Sequence, residues 1–75
     1  MAERITFDPS IMGGQPCVRG LRIPVSLVVK LVATGLTTVE IIENYPDLEP
    51  DDIKACLDYA AMMTEGRIVE IRKTA

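Results

Sequence analysis

Thirteen consecutive residues, Gly13-Gly14-Gln15-Pro16-Cys17-Val18-Arg19-Gly20-Leu21-Arg22-Ile23-Pro24-Val25, hold three Gly, two Pro and two Arg directly ahead of an apolar, helix-spaced stretch. Pro16 and Pro24 fix φ and remove amide donors, and the glycines admit positive φ. The segment is therefore a shaped loop rather than a helix or a long strand. Everything before it has to be short, and everything after it can be helical.

Upstream, Arg4-Ile5-Thr6-Phe7-Asp8 alternates polar and apolar residues as a half-buried strand does, and Asp8-Pro9-Ser10 is a turn signal that ends it. Arg22, Ile23 and Val25 provide an expected partner strand, with the Gly/Pro loop reversing the chain between the two.

Downstream, Val25, Val28, Val29 and Val32 recur at helical spacing, Leu27 and Leu31 widen the stripe, and Gly35 stands where a C-terminal cap is needed. The valines lower intrinsic helix propensity, so this helix depends on burial. Thr37 and Glu40 form a capping-box pair, Leu36 and Ile41 a hydrophobic staple, and Pro46 ends the second helix near Asn44 or Tyr45. A third helix opens with Leu48 stapled to Ile53, Pro50 at its first position, and Asp51 and Asp52 complementing the positive end of the dipole, although Glu49 is a poor cap. Its stripe of Ile53, Cys56, Leu57, Ala60 and Met63 runs to Gly66. Residues 67–72 fit a short strand and a further helical turn equally well.

The expected architecture is mainly α: a three-helix, helix-turn-helix core of the homeodomain-like or winged-helix-like kind over 25–66, preceded by a strand pair and loop at 4–24. A basic tail covers 67–75, and the 75 residues form one domain. A chain this short buries only about 60–65% of its unfolded surface, and with one Phe, two Tyr and no Trp its core must be aliphatic. Homodimerisation is a common remedy for so small a core.

Several function classes are excluded. There is no His and no Cys-x-x-Cys, so Cys17 and Cys56 read as small buried apolar residues rather than metal ligands or a disulfide framework. The phosphate-loop pattern is missing, and Lys30 sits mid-helix. Asp47, Glu49, Asp51 and Asp52 lack the central Gly and closing Glu of a calcium loop, so they read as a solvated acidic turn. No nucleophile has an activating base, which makes the chain a non-enzyme without cofactors. No apolar run reaches about 18 residues and no leader is visible, so a cytoplasmic, non-membrane protein is expected.

Net charge is −3, but it is segregated: residues 1–36 carry four Lys/Arg and two Asp/Glu, 37–66 one and eight, and 67–75 three and one. Arg4, Arg19, Arg22 and Lys30, with the tail residues Arg67, Arg72 and Lys73, are the candidate contacts to a charged partner or to phosphates. Arg19 and Arg22 can equally be satisfied within the chain, by Asp8 or a helix C-terminus. Met62 and Met63, with Ile68, Val69 and Ile71, suit a soft docking surface or dimer packing. Insertion of the third helix into DNA is opposed by the acids at its N-terminal end, since duplex DNA carries one negative charge per about 1.7 Å of axis.

Ile5-Thr6-Phe7-Asp8-Pro9, Gly13-Gly14-Gln15-Pro16, Arg19-Gly20-Leu21-Arg22-Ile23-Pro24-Val25, Gly35, Glu40-Ile41-Ile42, Tyr45-Pro46-Asp47-Leu48, Asp52-Ile53 and Leu57-Asp58-Tyr59-Ala60 together resemble the family labelled domain of unknown function 433, over about residues 5–61. The resemblance implies a homeodomain-like or winged-helix fold and an antitoxin role: binding a PIN-like ribonuclease toxin, with the shared promoter DNA as a second partner. The tail arginines would suit the acidic active site of such a ribonuclease. The chain departs from the family's usual residues at Gln15 (Lys), Leu21 (Thr) and Glu49 (Thr or Ser). A stand-alone DNA-binding regulator and a structural homodimer or accessory subunit are the alternative readings.

Overall fold

A computed structural model describes residues 3–65. Its elements in chain order are β1 (Ile5–Thr6), a 3-10 turn (Met12–Gly14), β2 (Cys17–Val18), α1 (Val25–Ala33), α2 (Thr38–Asn44) and α3 (Pro50–Thr64). This is the mainly helical, helix-turn-helix arrangement with an N-terminal strand pair. Gly66 and residues 67–75, including the strand-or-helix alternative at 67–72, lie outside the described residues.

The strand pairing differs from expectation. β1 pairs antiparallel with β2, Ile5 opposite Val18 and Thr6 opposite Cys17. The 22–25 segment lies on the other side of β2, where Val18 N–H donates to Ile23 C=O at 3.0 Å and Pro24 bridges Cys17. The reason is a tight reversal between them. Arg19 and Gly20 have φ of 44° and 72°, and Leu21 N–H closes onto Val18 C=O at 2.7 Å. Positive φ at both central residues marks a type I′ hairpin turn, usually written Asn-Gly or Asp-Gly. With Arg in the first place, the signal was disguised.

The helix boundaries follow the expected signals. At the end of α1, Gly35 N–H bonds Val32 C=O at 2.9 Å and Leu36 N–H bonds Leu31 C=O at 3.3 Å, a Schellman motif around Gly35 at φ 98°. At the start of α2, Glu40 N–H donates to Thr37 Oγ1 at 3.2 Å while Thr37 N–H donates to Glu40 Oε1 at 2.8 Å, the reciprocal capping box. α2 stops before Tyr45-Pro46, and α3 opens with Pro50.

α1 packs chiefly on α3. The core is Val18, Val25, Val28, Ile41, Leu48, Ile53 and Cys56, with Cys17 also buried. Both cysteines are thus the small buried residues expected. The α3 stripe is shorter than expected: Leu57 and Met63 are exposed, and the buried seam is Ile53 and Cys56, continued by half-buried Ala60. Among the described residues, no helix is long and apolar enough to cross a membrane.

Candidate functional site

The third helix also buries something its periodicity was not expected to bury. Asp52 is 0% exposed, because it stands four residues before Cys56 on the inward face of α3. A lone buried carboxylate is strongly disfavoured, and this one is fully surrounded by donors. Arg19 meets it side-on, Nε at 3.0 Å from Oδ1 and Nη2 at 2.8 Å from Oδ2. Arg4 Nη1 donates to Oδ1 at 2.7 Å, and Glu49 N–H to Oδ2 at 2.8 Å.

The two arginines are held in turn. Arg19 Nη2 also donates to Asp47 C=O at 2.7 Å, and Arg4 Nη1 to Glu49 Oε1 at 2.9 Å. Arg19 N–H donates to Arg4 C=O at 2.8 Å, which ties the hairpin turn to the first strand. Burial pulls the Asp52 pKa upward, but the hydrogen bonds from Arg19, from Glu49 N–H and from Arg4 outweigh it, leaving it below the usual carboxylate value. Bonds to Glu49 and Asp52 raise Arg4, and bonds to Asp52 raise Arg19, so both stay charged.

Asp52 was expected on the solvated acidic turn as a dipole partner; it is instead the centre of an ion hub. The stripe spacing could have found it, since position 52 shares a face with 56 and 60. Arg4 and Arg19, two of the candidate contact residues, converge on this hub. Arg19 pairs with Asp52 and not with Asp8, whose Oδ1 accepts from Ser10 N–H and Oγ–H.

Arg22, in the loop before α1, and Lys30, on α1, are exposed and make no ion pair among the described residues. Arg67, Arg72 and Lys73 lie outside the described residues. The Gln15 side-chain amide donates to Met12 C=O at 3.1 Å and closes the loop locally. The outer N-terminal end of α3 presents Glu49 and Asp51, which Arg4 meets at 2.9 and 3.7 Å, while Lys54 is paired with Asp58 at 3.0 Å.

Beside the hub, and sharing Arg4 with it, lies an apolar face. Phe7 and Tyr59 rings sit 6.0 Å apart in a tilted pair, and Phe7 and Met62 are 58% and 56% exposed. With Ile5 and Ala55 they line a depression of about 410 Å³ rimmed by charged side chains that include Glu3 and Asp58. Tyr59 is shared with a second groove, between α1 and α3.

Residues 5–60 match the family described as "Protein of unknown function (DUF433)". The chain belongs to the DUF433 family. It is 40% identical over 58 residues to uncharacterized protein y4eO of Sinorhizobium fredii (strain NBRC 101917 / NGR234), a match covering 77% of this chain and 26% of that protein. It therefore spans about a quarter of that relative's length. The crystal structure of a DUF433 member from Anabaena variabilis ATCC 29413 superposes with a TM-score of 0.75 at 33% identity, covering 84% of this chain and 62% of that one. Arg19, Asp52 and the Phe7–Tyr59 pair fall inside the matched 5–60 span, and Arg4 immediately precedes it.

Proposed function

We propose that this DUF433 protein is a non-enzymatic docking module that binds a protein partner through the Phe7–Tyr59–Met62 face. The observation that carries the reading is that face itself: large apolar side chains, more than half exposed for Phe7 and Met62, arranged around a charged rim. Contiguous exposed apolar surface of this kind marks interaction sites. The family resemblance supplies the partner class, a PIN-like ribonuclease toxin that the module would neutralise as an antitoxin.

Non-enzymatic action fits the reactive groups. The Cys56 thiol is pushed up to about 11 by burial and by the Asp52 charge, so it is not a nucleophile near neutral pH. Asp52 is fully buried with both carboxylate oxygens accepting hydrogen bonds, and among the described residues no group of three or more His, Cys, Asp or Glu could hold a metal.

Co-expression with the ribonuclease-like product of a neighbouring reading frame, followed by purification of the pair and a growth assay, tests the reading. A stable complex, relief of growth arrest, and loss of both in Phe7→Ser/Met62→Ser are expected. Failure of the wild-type pair to associate overturns it.

A second reading, promoter binding by the helix-turn-helix, rests on Arg22 and Lys30, whose charges are free of ion pairs among the described residues. Acids at the outer end of α3 oppose groove insertion, so the contacts would be to phosphates. A gel shift on the upstream region across a salt series decides it, and no binding near about 50 mM salt removes it.

A further inference from the structure

We infer that the partner element seated on the Phe7–Tyr59–Met62 face is a basic amphipathic segment, its apolar side chains flanked by Lys or Arg. The inference rests on the docking reading above and names the chemistry of the occupant. The depression in that face holds about 410 Å³, and its charged lining consists of Glu3, Arg4 and Asp58.

The charge of this rim decides the occupant. Arg4, the single cation lining the depression, is already committed to Asp52 at 2.7 Å, Glu49 at 2.9 Å and Asp51 at 3.7 Å. Glu3 is exposed and makes no ion pair among the described residues. Asp58 has Lys54, the one Lys or Arg of α3. With Arg19 on Asp52, three cations stand against five carboxylates around hub and face, a surplus of two negative charges. Exposed Glu65, three positions beyond Met62 on the same side of the helix, adds to it.

That surplus selects among partners. Surfaces built of phosphate, nucleic acid and anionic lipid alike, are repelled by it. A wholly apolar segment would cover the rim carboxylates without pairing them, which is costly. Lys and Arg meet both needs of the face: their aliphatic stems lie along apolar side chains such as Phe7 and Met62, and their charged ends reach the carboxylates. The two aromatic rings favour a cation as well.

Two model amphipathic helical peptides with the same leucine face, one flanked by Lys and the other by Glu, test the inference on the full chain by NMR titration and sedimentation. The Lys peptide is expected to shift the Met62 methyl and the Phe7 and Tyr59 ring signals, and the Glu peptide to leave them unmoved. Affinity falls as salt rises past about 0.1 M, where the screening length is about 10 Å. Glu3→Lys/Asp58→Lys weakens the Lys peptide about tenfold, because two exposed pairs, each worth a factor of roughly two to five, become repulsions. Both positions are exposed, so this variant still folds. Equal binding of the two peptides, or an affinity unmoved by the double reversal, overturns the inference while leaving the face a docking surface. Shifts from neither peptide also overturn it, and the co-expression assay of Phe7→Ser/Met62→Ser then decides the docking reading on its own. A stable dimer of the free chain that covers Met62 gives the face to a second copy and overturns the inference too.

Discussion

Arg19 grips Asp52 through both Nε and Nη2, at 3.0 and 2.8 Å, from a backbone position with φ of 44°. Left-handed backbone at a non-glycine residue costs about 1–2 kcal/mol. The bidentate pair offsets that strain, and the strained turn aims the fork.

Removing the carboxylate leaves two guanidinium groups facing each other beside the core. Asp52→Ala is expected to destabilise the fold by about 3–5 kcal/mol, as breaking one side of a buried ion pair does. Urea denaturation, with midpoint and slope both followed, measures it. A loss below about 1 kcal/mol would contradict the hub's role.

A lysine cannot reproduce the fork. Arg19→Lys keeps the charge but loses the side-on geometry and the bond to Asp47 C=O, so a loss of about 1–3 kcal/mol is expected. Thermal unfolding of Arg19→Lys beside wild type checks this.

Acid should unfold the protein through Asp52. Its folded pKa is depressed, so its stabilising contribution is complete above the unfolded-state value of about 3.9 and fades as pH falls through the lower folded value. Asp8, lowered by its bonds from Ser10, acts in the same direction. Wild type is therefore expected to lose stability below about pH 4, and Asp52→Asn to show a shallower acid limb in a pH series of urea midpoints.

The capping box of α2 is separable from the hub. Thr37→Ala removes the acceptor for Glu40 N–H and is expected to cost about 1 kcal/mol, and adding the Asp52→Asn change should be close to additive because the two sites share no partner.

Cys56 reports the integrity of the core. With its thiol near 11 and no exposed surface, it is expected to resist a thiol-specific reagent at pH 8 until the chain unfolds. Labelling followed by mass spectrometry, with and without denaturant, distinguishes this from a reactive thiol.

Local signals were legible because they act over a few residues. Gly35, the Thr37–Glu40 pair, Tyr45-Pro46 and Pro50 each satisfy or remove specific backbone groups, and each stands where its chemistry required. The strand partner was misplaced because Arg19 occupies a turn position that Asn or Asp usually marks. Asp52 was missed because nothing local distinguishes a dipole-complementing acid from a buried one. That distinction belongs to Arg4 and Arg19, 48 and 33 residues away in sequence. The apolar face was half legible: Met62 and Met63 were singled out, but Phe7 meets Tyr59 only after the chain has folded.

One carboxylate thus fastens the beginning of the described chain, the hairpin reversal and the longest helix at a single point. The N-terminal ribbon cannot peel away without stranding a bare charge inside the domain. Opening of this protein should consequently be all-or-none, with the Arg19 amide, bonded to Arg4 C=O, exchanging its proton no faster than the deepest valine amides of α1.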